Sequence, residues 1–73
     1  MYKYCVAFVY VNCLGETRVT YKAWENDRGY FGYETGNFND GNIVWYNTKE
    51  EAKSVRDLCG RENACVLCRY FEE

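Results

Sequence analysis

Cysteine thiols are the most reactive side chains in this sequence, and they lie at positions 5, 13, 59, 65 and 68. Cys65 and Cys68 have the spacing of a zinc-binding pair, and Cys59 lies nearby, but such pairs usually lie in turns. The two residues between them, Val66 and Leu67, instead favour a strand. Residues three apart in a strand point to opposite faces, so these two thiols could not hold one ion.

We therefore predict buried free thiols, with a zinc site over Cys59, Cys65 and Cys68 and a redox-active cysteine pair as the alternatives. The cysteine count is odd, and the first residues begin a strand pattern without a small-residue cleavage site. Both observations favour a reducing compartment, which we take to be the cytoplasm of a bacterial host cell. No metal ligand and no cofactor is predicted.

Acid–base chemistry has few candidate residues, because the sequence contains no histidine. The commonest general base and every Ser-His or Cys-His dyad are thereby excluded. The carboxylates of Glu50 and Glu51 are explained by capping of a helix, and those of Glu72 and Glu73 by solvation. We therefore expect a protein that is not an enzyme.

The segment from residue 25 to residue 42 interleaves large rings with Gly, Asn and Asp. These small and polar residues favour turns, yet the segment is too aromatic for a solvated linker. Tyr, Gly and Asn are also the residues that binding paratopes use. The segment therefore predicts a partner-binding surface, with its anchors and polar rim at Tyr30, Phe31, Tyr33, Phe38, Arg28, Asp27, Glu34 and Asp40.

Charge restricts the class of partner. Nine Lys/Arg against eleven Asp/Glu give a net charge of −2 and a pI near 5.1, whereas duplex binding needs a basic face. The run from Arg28 to Tyr33 is similar to the ring-bearing strand of RRM and cold-shock domains, but Phe31 and Gly32 do not fit that pattern. A protein partner is favoured over nucleic acid. No apolar run could cross a bilayer, so no membrane partner is expected.

The elements that must position these residues begin with Tyr2 to Asn12, whose alternation predicts a central strand that is apolar on both faces. Its small-residue face, which consists of Cys5, Ala7, Val9 and Val11, is predicted to lie under a helix. Its aromatic face is predicted to need a second cover. The other predicted strands are Thr17 to Trp24, Asn42 to Asn47 and Ala64 to Phe71, with part of Tyr30 to Tyr33 considered as one more.

A single helix is predicted after Thr48, which stands as N-cap with Glu51 three residues later. Gly60 is the expected stop, and the apolar stripe consists of Ala52, Val55, Leu58 and Cys59. The expected fold is α+β: one domain over residues 1–73, with an antiparallel sheet of three to four strands, one helix on one face and the order β-β-loop-β-α-β. The second face must be covered by the 25–42 segment, a second copy or a partner.

The overall plan, with the helix start Thr48-Lys49-Glu50-Glu51-Ala52 before a final strand, resembles small phage-encoded inhibitors of host defence, including anti-CRISPR proteins. The resemblance implies a stoichiometric inhibitor that occupies a protein surface of a defence complex such as a CRISPR-Cas effector. It carries no functional residue over to this chain. Two alternatives stay open: a protein that binds or sequesters a nucleotide or a short single strand on stacked rings, and a structural homo-oligomer.

Overall fold

A computed structural model describes residues 1–25 and 31–72 of the chain. Within these residues the elements are β1 (Tyr2–Val11), β2 (Thr17–Glu25), β3 (Phe31–Thr35), α1 (Lys49–Cys59) and β4 (Ala64–Tyr70). The four strands form one antiparallel sheet in the order β3-β2-β1-β4. The predicted α+β class, with a small antiparallel sheet and one helix, is confirmed.

Strand β1 is central and is covered on both sides, as its sequence predicted. Cys5, Val6, Ala7 and Phe8 are consecutive and all buried. Successive strand residues point to opposite faces of a sheet, so four buried residues in a row require a cover on each face.

The third strand is not where the sequence placed it. The prediction of a strand over Asn42 to Asn47 is wrong, and β3 lies at Phe31–Thr35, which overlaps the additional strand considered over Tyr30 to Tyr33. Strands β1 and β2 pair between Ala7–Val11 and Thr17–Tyr21 and then diverge. Residues 42–46 occupy the gap between them.

This inserted segment bonds one strand at each of its ends. The Trp24 N–H donates to the Asn42 carbonyl at 2.9 Å, and the Val44 N–H donates to the Lys22 carbonyl at 3.1 Å. Further along, Tyr46 and Tyr4 exchange two backbone hydrogen bonds, at 2.7 and 2.9 Å. Because its ends bond different strands, the segment forms two isolated bridges and no continuous ladder.

The helix lies on the aromatic face of β1, and the prediction that it covers the small-residue face is wrong. The Arg61 guanidinium, just after the helix, stacks 3.9 Å from the ring centroid of Phe8. Tyr46, which shares a face with its bridge partner Tyr4, has its phenol pKa raised by burial and by the nearby Cys59 and Glu51 of α1. The small side chains on the inner side of the helix, such as the buried Ala52, complement these large rings.

Three rings cover the opposite face of the sheet, and we call Phe38, Trp45 and Phe71 the ring lid. Phe38 packs on Tyr21 with ring centroids 4.9 Å apart, and Trp45 joins Phe38 to Phe71 at 5.7 and 4.9 Å. Tyr21 pairs with Ala7, so the lid lies over the small-residue face of β1. The loop after β3 therefore supplies much of the second cover, with large rings over small side chains.

The helix ends agree with the sequence. The Glu51 N–H donates to the Thr48 Oγ1 at 3.2 Å, and Glu50 and Glu51 lie in the positively polarised first turn. Gly60 closes the helix with φ of 63°, in the left-handed region that glycine adopts without a Cβ clash.

Replacement of the N-cap tests the contribution of Thr48 to the stability of α1. Thr48→Ala removes the acceptor for the Glu51 N–H and should lower the free energy of unfolding by about 1 kcal/mol. Thr48→Ser keeps a hydroxyl at this position and should stay within a few tenths of a kcal/mol of the wild type. Urea unfolding followed by circular dichroism measures both values, and equal losses in the two variants would contradict the capping role.

None of the five cysteines forms a disulfide, but the prediction that the thiols are buried is wrong for Cys13 and Cys68, which are exposed. Cys65 pairs with Ala7 and Cys68 pairs with Tyr4, so the two thiols lie on opposite faces of β4. Cys5 is fully buried in β1, and burial is the main cause that raises the pKa of its thiol from 9.0 to about 11.

The raised pKa of Cys5 predicts a loss of stability in alkali. Above pH 9 the unfolded chain releases the Cys5 proton while the folded chain keeps it until about pH 11, so the free energy of unfolding should fall across this window. The contribution is at most about 1.4 kcal/mol per pH unit. Cys5→Ala should flatten the fall relative to Cys13→Ala, which alters an exposed thiol; identical pH profiles would contradict the assignment.

Candidate binding surface

The predicted site residues are divided between the two faces of the sheet. Tyr33 pairs with Ala23, so its side chain lies on the face of the sheet that the ring lid covers. The loop after β3 brings Phe38 and Asp40 to the same face. Glu34 points to the helix side, because it follows Tyr33 in the strand. Asp27, Arg28 and Tyr30 lie outside the described residues, and Phe31 is described only by its backbone.

Tyr33 and Asp40 fasten the loop to β3. The Tyr33 hydroxyl donates to the Asp40 Oδ2 at 3.1 Å, and the Asn42 N–H donates to the Asp40 Oδ1 at 2.9 Å. The hydrogen bond from the Asn42 backbone is the largest of the causes that lower the pKa of Asp40. The pair thus holds the loop in the position that places Phe38 over Tyr21.

Phe38 is used in packing. Its half-buried ring contacts Tyr21 and Trp45, and the Arg69 guanidinium lies 5.0 Å from its centroid. The same guanidinium donates to the Phe38 carbonyl at 3.2 Å. These contacts account for the ring without a bound partner.

Glu34 joins β3 to the end of the helix. Its carboxylate accepts from Arg61 Nη1 at 2.6 Å and from the Thr20 hydroxyl at 3.3 Å. Both ion-pair side chains are about 42 % exposed, so the bond contributes little to stability. It nevertheless fixes the position of a cation that also stacks on Phe8.

The helix leaves half of its own face of the sheet uncovered. Within residues 1–25 and 31–72, α1 packs on β1 and β4 and makes no packing contact with β2 or β3. A single helix is about 10 Å wide and covers about two strands spaced by about 4.8 Å, which explains the limit. The uncovered area, which we call the open half, consists of the helix-side residues Thr20, Lys22, Trp24, Gly32 and Glu34.

Two grooves on the open half meet at Lys22. The first runs toward the inserted segment and is lined by Lys22, Trp24, Gly41, Asn42, Ile43, Val44 and Tyr46. The second runs toward the end of the helix and is lined by Phe8, Lys22, Gly32, Tyr33, Glu34, Cys59 and Arg61. The Lys22 ammonium lies 5.9 Å from the Trp24 ring, and a Cβ on Gly32 would lie 3.7 Å from that ring. The indole therefore lies against β3 at Gly32, at a distance at which a Cβ would make ordinary van der Waals contact.

Sequence reasoning missed most of the open half. It named Glu34 but not Lys22, Arg61 or Tyr46, and it did not place Trp24 among the binding residues. The signal was present in β2, where Arg18, Thr20 and Lys22 alternate with apolar residues and mark one solvated side. The sequence pattern does not show how many strands a single helix covers, and this number decides which solvated residues form the open half.

The open half and the groove beside it present the Trp24 and Tyr46 rings, the Asn42 amide and, at Lys22 and Glu34, charges of both signs. Among the described residues, no three His, Cys, Asp or Glu side chains converge as a metal site. The same part of the chain holds no helix with the length and apolarity needed to cross a membrane.

Comparison with protein-family models, with curated proteins and with solved structures gives no match. The function must therefore be argued from the surface itself.

Phe38 gives a test that separates packing from binding. Phe38→Ala should lower the free energy of unfolding by about 2 kcal/mol, because a half-buried ring of the lid is lost. Leu14→Ala alters a residue that is 79 % exposed and should change stability by less than about 0.5 kcal/mol. Thermal and urea unfolding measure both; an unchanged stability for Phe38→Ala would contradict the packing role.

Proposed function

We propose that this protein is a non-enzymatic protein-binding module whose partner docks on the open half. The observation that carries the proposal is that, among the described residues, α1 does not cover the helix-side surface of β2 and β3, where Lys22 lies beside Trp24 and lines a groove with the Arg61–Glu34 ion pair. In the sequence, the Gly- and ring-rich residues 26–30 connect β2 to β3, the two strands whose helix-side residues form the open half. Tyr30, Phe31 and Arg28 of the predicted site belong to that connection or border it.

The composition of the open half favours a protein partner. Trp, Tyr and Arg are the residues that most often dominate binding energy at protein interfaces, and a polar rim around them is typical. Arg61 is held in place by Glu34 and Phe8, so little side-chain entropy is lost when a partner binds it. The two grooves are open along their length, whereas small-molecule sites usually enclose most of the ligand.

The finer proposal is a stoichiometric inhibitor of a host or defence complex, of the type that bacteriophages encode. Its support is the resemblance in size, mild acidity and layout. With a net charge of −2, rings and the ion pair must supply more of the affinity than long-range attraction to a basic groove does.

Affinity capture with matched charge variants tests the docking surface. Tagged wild type, Lys22→Glu and Lys53→Glu are incubated with bacterial lysate, and bound proteins are quantified by mass spectrometry. Lys22 lines both grooves, whereas Lys53 lies exposed on α1, so the two changes are equal in charge and differ in place. The partner should be retained by Lys53→Glu and reduced about tenfold or more by Lys22→Glu, a loss of about 1.4 kcal/mol.

Circular dichroism of the three proteins serves as the control for folding. Equal recovery of every captured protein by both variants would remove the open half from the mechanism. Loss with Lys53→Glu alone would place the docking surface on the helix.

One groove favours a second candidate, nucleotide or single-strand binding. Trp24 could stack on a base, Lys22 could meet a phosphate, and Asn42 and Tyr46 line the same groove. Thermal-shift measurements with ATP, GTP and short oligonucleotides distinguish the candidates, because a ligand of the folded state raises the melting temperature by mass action. A shift that is lost in Lys22→Glu would favour this second function.

A further inference from the structure

The outer edge of β4 carries backbone groups that no other strand pairs within the described chain. The Val9 N–H donates to the Asn63 carbonyl, and the Phe71 N–H donates to the Met1 carbonyl, so the odd-numbered residues of β4 face β1. Alternation along an antiparallel ladder then directs the N–H and C=O groups of Val66, Cys68 and Tyr70 outward. The N–H of Ala64 is already donated to the Arg61 carbonyl at 3.2 Å.

The two edge strands of the sheet, β3 and β4, differ in the features that discourage pairing with a strand of another chain. β3 is a five-residue strand that contains Gly32 and Glu34, which are features that discourage pairing with another chain. β4 has seven residues, and Arg69 is its one charged residue. The Arg69 guanidinium is turned into the ring lid, 5.0 Å from the Phe38 ring and 5.3 Å from the Phe71 ring. No charged side chain of β4 therefore discourages another strand from pairing with its outer edge.

Exposed apolar surface continues from this edge. Tyr70 is 58 % exposed and Tyr2 is 59 % exposed, and their rings form an edge-to-face pair with centroids 5.3 Å apart. Cys68 is exposed on the same face, because it pairs with Tyr4 two residues further along β1. Paired rings that remain this accessible are typical of interface residues.

We propose that a second copy of this chain pairs with β4 edge to edge in antiparallel orientation, with Cys68 opposite Cys68 and the sheet continuous across the dimer. This register pairs Val66 with the partner's Tyr70 and satisfies every outward group of Val66, Cys68 and Tyr70. The three hydrogen-bonded pairs supply about six backbone bonds. An axis at Leu67 would instead set Tyr70 against the partner's Ala64, whose N–H is already bonded.

A second copy fits this edge because the side chains are complementary to themselves about the Cys68 axis. Tyr70 meets the partner's Val66, an aromatic and β-branched pair of the kind that stabilises cross-strand contacts. Arg69 meets the partner's Leu67, so the two guanidinium groups are not opposed. The two-fold interface is thus isologous and closed, as in most homodimers.

Sedimentation equilibrium over a wide concentration range tests the proposal with a matched pair of variants. The wild type and Cys68→Ser should both form dimers, because serine keeps the backbone N–H. Cys68→Pro removes the N–H at the axis and should be monomeric, with a dissociation constant raised at least tenfold; proline is tolerated where an edge N–H faces solvent. A wild type that is monomeric up to millimolar concentration, or a Cys68→Pro variant that dimerises equally well, would overturn the proposal.

Cross-linking of the native protein tests the register without dependence on a proline variant. The paired Cα atoms of Cys68 would lie about 5.5 Å apart, within the range that a disulfide spans. Diamide accepts the two electrons and two protons of thiol oxidation, so brief treatment should give a covalent dimer that dithiothreitol reverses. Cys13→Ser should retain this product and Cys68→Ser should lose it. A covalent dimer that persists in Cys68→Ser and disappears in Cys13→Ser would contradict the register.

The dimer edge and the open half are separate surfaces, so their tests fail independently. Lys22→Glu should leave the sedimentation behaviour unchanged.

Discussion

Four consecutive buried residues in β1 set the main physical constraint on this molecule. Cys5 to Phe8 point alternately to the two faces of the sheet, so the chain must cover both faces although its described part contains a single helix. The helix covers the aromatic face with small side chains, and the ring lid covers the small-residue face with large ones. In each layer large groups meet small ones, as dense packing requires.

The inserted segment at residues 42–46 follows from the same constraint. To bring Trp45 over one face and then start α1 on the other, the chain must pass through the plane of the sheet. It does so in the gap where β1 and β2 diverge, and it bonds Lys22 and Trp24 at one end and Tyr4 at the other. These hydrogen bonds tie the crossing segment to the two central strands β1 and β2.

The sequence was sufficient for elements that depend on local pattern: β1, β2, β4, the Thr48 cap and the Gly60 stop agree with the structure within one or two residues. It failed where the outcome depends on tertiary position. Residues 42–47 have a strand composition, but their partners change from β2 to β1 along the segment, which alternation in one segment cannot reveal. The sequence predicts that α1 packs on the small-residue face of β1, because both carry small side chains. In the structure, the small side chains of α1 pack against the large rings of β1, which fills the volume between helix and sheet better. The sequence predicts one surface that contains both Phe38 and Glu34, but the two residues lie on opposite faces of the sheet. Alternation along β3 puts Glu34 on the helix side, and the loop after β3 carries Phe38 to the other face.

A two-fold axis at β4 would place the two open halves in a defined relation. Paired residues of antiparallel strands share a face, so an axis that sets Cys68 opposite Cys68 runs perpendicular to the sheet and keeps both helices on the same side. The open halves would then face the same direction at the two far ends of one continuous sheet, since β2 and β3 are the strands most distant from β4. Such a dimer presents two identical docking surfaces to a partner that is itself two-fold or repetitive, and the second contact forms at high effective concentration. In the proposed dimer, the edge of β4 would join the two copies, and the narrow helix cover would leave each copy with a free open half.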